Sequence, residues 1–572
     1  MTSTPSISIK KSFANKNILL IGGTGFLGKT WLLMLIDKVQ TMNKVYVLLR
    51  KKGSQSARVR FEKMINESYL FKHLHEKDAQ AFHEFLQTKV EVLEGDSTVK
   101  NFGLSKIDYD HLLEQVDLLV NCAGLVDFHP DLRDALWTNI YATMECASFA
   151  KQSKKSKLLH VSTCYTAGVK EGLIKEEIDP DHSPTGQILD PEMELQWMKA
   201  AIEREEKKVA QLSVDEILDQ LPFREEKREQ FLSQESHDQK KTLEVYRNKI
   251  LRQQLIGVGR NRAKMFSWTN TYTYTKALAE KLLVSRFPDL DWAVFRPSII
   301  ESTHSYPFAG WNEGFNTSGP LTYLASTWFR HVPAKRGNPF DVIPVDFVCR
   351  GIMVSAAQLL LGQAKRVYQC GSSDQNRFTI DRATELTSLS HRLYYERSGK
   401  KDIKTKILSR FETVPVAKDS MYSLNHIYNV LSFFQKGTNW LYKRIPTWIQ
   451  KPLRPAKNTQ EKWTRRFEKI TGVVNLFAPF THDYFQIFQT KNLMEVQVEE
   501  KDLNFDPMSI EWRHYWMEVQ MPALRTWSFP VIEGKEKQLY QPKTPFSFET
   551  EKKIPYRNYG LDSTVPSQSA AR

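Results

Sequence analysis

Cysteine is scarce in this chain: five residues in 572, at positions 122, 146, 164, 349 and 370, odd in number and without a C-x-x-C pair. That excludes a disulfide scaffold and supplies no zinc-ligand spacing, so no metal is expected and a reducing, cytoplasmic setting fits. Long apolar runs are also missing. Nowhere do about eighteen apolar residues follow one another, so no spanning helix is expected and the protein reads as soluble or peripheral. Lys16 followed by Ile18-Leu19-Leu20-Ile21 imitates a secretory signal, but Gly22 interrupts the run and no small-residue cleavage site follows. Acidic charge is in the minority, 66 Asp and Glu against 80 Lys and Arg, giving a net charge of +14. Such a balance favours polyanionic partners: phosphorylated cofactors, acidic proteins or membrane surfaces. Nucleic acid is not expected, because the cations are mixed with acids and no nucleic-acid-binding motif accompanies them.

What is present is an alternation of strand and helix. Residues 1–14 are polar and read as a flexible leader. Short apolar runs then follow at Asn17–Ile21, Val45–Leu49, Val90–Leu93, Leu118–Val120 and Leu158–Val161, separated by helix-forming stretches. This is the pattern of an α/β fold, a Rossmann-like doubly wound parallel sheet. From about 171 to 265 the chain becomes highly charged, with helix-start signals at Asp190-Pro191-Glu192 and Ser213-Val214-Asp215-Glu216. Leu195, Met198, Ile202 and Val209 recur at near-helical spacing, which predicts a folded helical insertion rather than a disordered segment. Trp292–Phe295 and Arg366–Cys370 restore the strands and end this α/β domain near 376. A second, mainly helical domain is expected over 377–548, and a disordered Ser/Pro/Gln tail over 549–572.

Gly22-Gly23-Thr24-Gly25-Phe26-Leu27-Gly28 lies between the first strand and an apolar helix, the context that a dinucleotide fingerprint requires. Glycine permits the tight turn and lets backbone N–H groups approach a pyrophosphate, so Gly22, Thr24, Gly25, Phe26, Leu27 and Gly28 are candidate cofactor residues. After the second strand, where an acid would select NAD, stands Arg50-Lys51-Lys52. A guanidinium there suits the 2′-phosphate of NADPH. Asp96 is placed to meet the adenine amine, and Asn121, Ala123 and Gly124 to line the nicotinamide-side ribose.

The fifth strand runs into Ser162-Thr163-Cys164-Tyr165, and far downstream lies Tyr272-Thr273-Tyr274-Thr275-Lys276. On a helix, 272 and 276 share one face. A lysine near a phenol is expected to lower its pKa toward neutrality and make Tyr272 a proton donor, with Thr163 holding the reacting carbonyl. A Tyr-x-x-x-Lys pair alone arises readily by chance among 21 tyrosines; its position after a fingerprint and a strand-end hydroxyl gives it meaning. Tyr274 is a decoy with no lysine four residues on. Cys164 has no His partner nearby in sequence and reads as a buried small residue rather than a thioester nucleophile.

Together these residues resemble the extended short-chain dehydrogenase/reductase superfamily and, more narrowly, the fatty acyl-CoA reductases. The narrower resemblance rests on Gly23–Lys29, on Leu48–Lys52 with Ser56–Phe61, on His160–Tyr165, on Thr271–Glu280, on Phe295–Glu301, on Pro307–Trp311 and on Asp341–Asp346. It is strong over about 15–376 and departs from the family's usual prolines at Lys51 and Phe308. The long charged insertion and the lack of a C-terminal membrane anchor look like the bacterial, alcohol-forming type. The resemblance implies Thr163, Tyr272 and Lys276 as catalytic residues, Arg60 beside the cofactor, and Pro297, Ser298 and Ile299 around the nicotinamide. It also implies NADPH as cofactor and a long-chain acyl-CoA or acyl-carrier protein as substrate, reduced through an aldehyde to the alcohol of wax-ester metabolism. Competing readings are an enzyme that stops at the aldehyde, a reductase of nucleotide-sugars or small carbonyls, and a non-catalytic nucleotide-binding protein. The intact catalytic residues argue against the last, and the large C-terminal region against a small substrate. Between Ser432 and Lys451 an aromatic, basic segment reads equally as a membrane-surface element and as a helix packed in the second domain.

Overall fold

The computed structural model describes residues 6–548 except 221–230, 232, 234, 314–317, 328–330, 400, 401, 411, 419, 421–423, 443, 447–451, 453–456, 458, 459, 461–463, 465–467, 469, 473 and 476. The tail expected over 549–572 lies outside the described residues. Seven strands form the main sheet: β1 (Asn17–Ile21), β2 (Lys44–Leu49), β3 (Val90–Glu94), β4 (Leu118–Asn121), β5 (Lys157–Val161), β6 (Trp292–Pro297) and β7 (Val367–Cys370). All pairings are parallel, in the spatial order β3-β2-β1-β4-β5-β6-β7. The order reverses at β1, whose neighbours are β2 and β4. In doubly wound sheets the ligand crevice opens at such a switch point, beyond the carboxyl ends of the strands.

Strands β1, β4 and β6 are buried along their whole length, because helices cover both faces of the sheet. One face carries the helices Phe26–Lys38 and Val345–Leu360. The other carries Ala142–Gln152, Thr271–Arg286 and the insertion. Within the insertion, Asp190 accepts from Glu192 N at 2.8 Å and caps the helix Pro191–Ala210. Ser213 and Glu216 cap each other reciprocally, Glu216 N to Ser213 Oγ at 3.3 Å and Ser213 N to Glu216 Oε2 at 2.8 Å. Leu195, Met198, Ile202 and Val209 are all buried on the inward face of that helix.

One expectation needs correction. The leader is not loose over the residues described: Ile9–Phe13 is a short helix capped by Ser8, with Ile9 and Phe13 fully buried. Glu500 holds it, accepting from Ser8 Oγ at 2.7 Å and from Ile9 N at 2.9 Å. The region after 376 shares its apolar core with the sheet. Phe477, Trp512, Trp516, Leu524 and Phe546 belong to the same apolar cluster as Trp31, Leu35 and Phe347. The C-terminal region thus folds onto one face of the sheet instead of enclosing its own core. Among the described residues no helix is long and apolar enough to cross a membrane.

Candidate active site

The glycine loop turns out of β1 into the helix Phe26–Lys38. Gly22 has φ +85°, and a Cβ there would stand 2.6 Å from the Ala123 nitrogen; a Cβ on Gly28 would stand 2.4 Å from the Gly22 carbonyl oxygen. Both positions require glycine, the first for its backbone angle and both for close approach. Gly25 is the N-cap, and no side chain caps the helix. Its first N–H groups and its dipole therefore form a ready site for a pyrophosphate, with Thr24 and Leu27 half-buried around it. Phe26 stacks on Trp311, centroids 5.1 Å apart, which fixes the start of the helix.

Arg50 follows β2 with its side chain 65% exposed, its Nη1 3.9 Å from Asp96 Oδ2. Arg60 donates to the Arg50 carbonyl, so two guanidiniums stand at this strand end. Asp96 has a local job that the sequence did not reveal: its Oδ1 accepts from Thr98 N at 2.9 Å and Thr98 Oγ1 at 2.8 Å, closing its own loop. At the end of β4, Asn121 Oδ1 accepts from Ala123 N at 3.1 Å, and its amide nitrogen meets His160 Nδ1 at 3.3 Å. Gly124 lies against Lys276, since a Cβ there would come within 2.8 Å of Nζ.

Thr163, beyond β5, is buried, and its side chain lies beside the Tyr272 phenol. Asn270 caps the helix that carries Tyr272 and Lys276, accepting from Thr273 N at 2.9 Å. Burial pushes the Tyr272 phenol up to about 12, and the neighbouring Thr163 side chain pulls the other way. The expected lowering by Lys276 is absent from this arrangement. Lys276 Nζ donates instead to the Val161 carbonyl at 2.9 Å, and burial brings its ammonium down to about 8. At the end of β6 the Pro297 carbonyl accepts from Thr163 Oγ1 at 3.5 Å. Ser298 N donates to Cys370 O at 2.9 Å and Ile299 N to Asp341 O at 3.2 Å, both residues buried.

The neighbouring tyrosine and cysteine are occupied elsewhere. Tyr274 donates to Glu194 Oε2 at 2.5 Å, and Glu194 also accepts from Arg262 Nε at 3.0 Å. Cys164 donates its thiol to Arg296 O at 3.0 Å, and burial pushes that thiol well above its ordinary range. Sequence reasoning missed Asn139, whose Nδ2 donates to Thr275 Oγ1 at 2.9 Å and whose Oδ1 accepts from Leu125 N at 2.9 Å. It ties the Tyr272 helix to the loop after β4; an asparagine buried within a helical stretch was the available signal. Also missed was an aromatic wall. Phe128 meets the Tyr272 ring edge-on at 6.3 Å and Phe480 at 5.4 Å, while Phe480 packs on Tyr165 at 4.6 Å. Nothing local in the sequence joins Phe128 to Phe480, 352 positions later.

A parallel sheet with a glycine loop at its switch point defines an NAD-binding oxidoreductase of the extended short-chain dehydrogenase/reductase type. More particularly, the family model described as "Male sterility protein", an NAD-binding domain, matches residues 20–352, and the chain belongs to that family. It is 27% identical over 537 residues to "Probable fatty acyl-CoA reductase 4" of Arabidopsis thaliana, a match covering 90% of this chain and 97% of the relative. It is 26% identical over 539 residues to "Alcohol-forming fatty acyl-CoA reductase" of Simmondsia chinensis, covering 90% and 98%. Among solved structures, the reductase domain of a non-ribosomal peptide synthetase from Mycobacterium tuberculosis aligns with a TM-score of 0.46 at 18% identity, over 93% of this chain and 94% of that one.

Proposed function

We propose that this protein reduces long-chain fatty acyl thioesters to fatty alcohols through the aldehyde, with NADPH as reductant. The observation that carries the reading is the aromatic wall beside Tyr272, built by Phe128 together with Phe477 and Phe480 of the C-terminal region. A small polar substrate has no use for it. An acyl chain does, since each methylene taken out of water favours binding by about 0.8 kcal/mol. Both plant relatives are named as fatty acyl-CoA reductases, and both match this chain through its C-terminal region.

Within this reading the backbone N–H groups after Gly25 hold the pyrophosphate, and Gly22 and Gly28 keep the approach clear. Arg50 and Arg60 offer the 2′-phosphate charge-assisted hydrogen bonds, which selects NADPH. Asn121, Ala123, Gly124, Pro297, Ser298 and Ile299 enclose the nicotinamide end, and Lys276 binds the ribose there. The nicotinamide supplies the hydride. Thr163 holds the carbonyl oxygen of the substrate, and Tyr272 gives its proton to the alkoxide that develops. A phenol held near 12 stays protonated across the working range, as a donor must. The resulting thiohemiacetal returns its hydroxyl proton to the Tyr272 phenolate as it expels a thiolate, and the aldehyde offers the same kind of carbonyl to the same Thr163 and reprotonated Tyr272. Acyl-CoA and acyl-carrier protein both deliver such a thioester.

The test is a continuous assay of NADPH oxidation with palmitoyl-CoA and, separately, palmitoyl-carrier protein. Turnover with either thioester is expected. Absence of turnover with both, alongside reduction of a nucleotide-sugar, would overturn the reading.

A further inference from the structure

The helix Leu424–Tyr442 leaves Val430 41%, Phe433 75%, Phe434 60% and Trp440 56% exposed. With Gly437 these positions fall at i, i+3, i+4, i+7 and i+10, one continuous stripe along the helix. Soluble chains rarely present large aromatics in a contiguous patch, so the stripe implies a partner. Its charge says which kind. From Met421 to Gln460 the sequence has six Lys and Arg residues and no Asp or Glu. Two of these cations lie on the aromatic rings: Arg444 over Trp440 at 3.9 Å and Lys457 over Tyr442 at 4.3 Å. Lys436 is exposed on the flank of the stripe.

We infer that this helix docks the protein on an anionic phospholipid surface, with Phe433, Phe434 and Trp440 entering the headgroup and acyl boundary while Lys436, Arg444 and Lys457 meet lipid phosphates. The geometry of an interfacial helix is an apolar stripe edged with Lys and Arg and provided with Trp or Phe. An acidic protein partner would use the cations but would leave the naked Phe433-Phe434 pair unexplained. The helix lies on the surface rather than across it, in keeping with the absence of a spanning helix among the described residues. Each cation near an anionic leaflet adds attraction that salt screens. The inference stands apart from the acyl-reductase reading, because vesicle binding requires no turnover.

The experiment is flotation of the full-length protein with vesicles of phosphatidylcholine alone and of phosphatidylcholine containing about one-third phosphatidylglycerol, a content that gives a surface potential of physiological size. Wild type is expected to float with the anionic vesicles, less so at high salt and weakly with the neutral ones. The triple variant Phe433→Ser, Phe434→Ser, Trp440→Ser alters exposed residues only. It is expected to lose at least ten-fold in vesicle partition while keeping its circular dichroism and its activity on a water-soluble short-chain thioester. Equal flotation of wild type and variant overturns the inference, and so does failure of wild type to float. A variant whose only changes are a lower oligomeric mass or lost binding to an acidic carrier protein also overturns it, since the stripe is then a protein interface.

Discussion

Tyr274 donates its phenolic proton to Glu194 of the insertion, and the Tyr272 phenol, two residues earlier on the same helix, lies beside Thr163 instead. Two tyrosines with similar sequence surroundings thus have different partners. Tyr274→Phe is expected to leave kcat and KM within about two-fold of wild type but to lower stability by about 2 kcal/mol, the worth of a buried hydrogen bond to a charged group. Thermal unfolding with steady-state kinetics checks this; a large loss of kcat at unchanged Tm would give Tyr274 the catalytic role.

Tyr272→Phe is expected to lower kcat by about 10²-fold to 10⁴-fold, the usual range for a lost proton donor, with NADPH affinity nearly intact. Fluorescence titration of NADPH separates the two effects. Near-normal turnover would remove Tyr272 from the mechanism.

Arg50→Ala is expected to raise the KM for NADPH about ten-fold or more and to change that for NADH little, because a lost 2′-phosphate contact is uniform binding. Arg50 is well exposed and pairs only loosely with Asp96, so the fold should be unaffected. Equal catalytic efficiency of the wild type with NADPH and NADH would contradict the assignment.

Lys276 gives a pH prediction. Burial lowers its ammonium from 10.5 to about 8, so its charge is lost as pH rises through about 8, and kcat is expected to fall there. Stability moves in the other direction. Between about 8 and 10.5 the unfolded chain binds more protons at this site than the folded one, so this group's contribution rises with pH across that window. The basic limb in activity should therefore appear without unfolding, and Lys276→Arg, always charged, should retain little rate but lose the limb. A limb unchanged in that variant would place the titration elsewhere.

The seven strands and the helices of the insertion were legible because periodicity and capping are local: Asp190 caps three residues on, and Ser213 and Glu216 face each other across one turn. The glycine loop was legible for the same reason. What escaped the sequence depends on contacts between distant residues. Ile9 and Phe13 form a buried face only two residues deep within a polar stretch, too short for a period to show. Phe480 and Phe128 meet only through the fold, and the core that the region after 376 shares with the sheet is likewise a tertiary fact. The Lys276 ammonium was expected on the phenol and lies on the Val161 carbonyl, because the carbonyl at the strand end is nearer than sequence spacing can tell.

The most direct measurement is the product and its stoichiometry: an acyl-CoA is incubated with excess NADPH, and alcohol, aldehyde and oxidised cofactor are counted, with long-chain aldehyde also supplied as a substrate. On the proposed reading one glycine fingerprint and one Thr163, Tyr272 and Lys276 set would serve both reductions, so the expected result is fatty alcohol, two NADPH consumed per thioester, and reduction of the added aldehyde that Tyr272→Phe abolishes. Accumulation of aldehyde as the end product, with added aldehyde left unreduced, would contradict it.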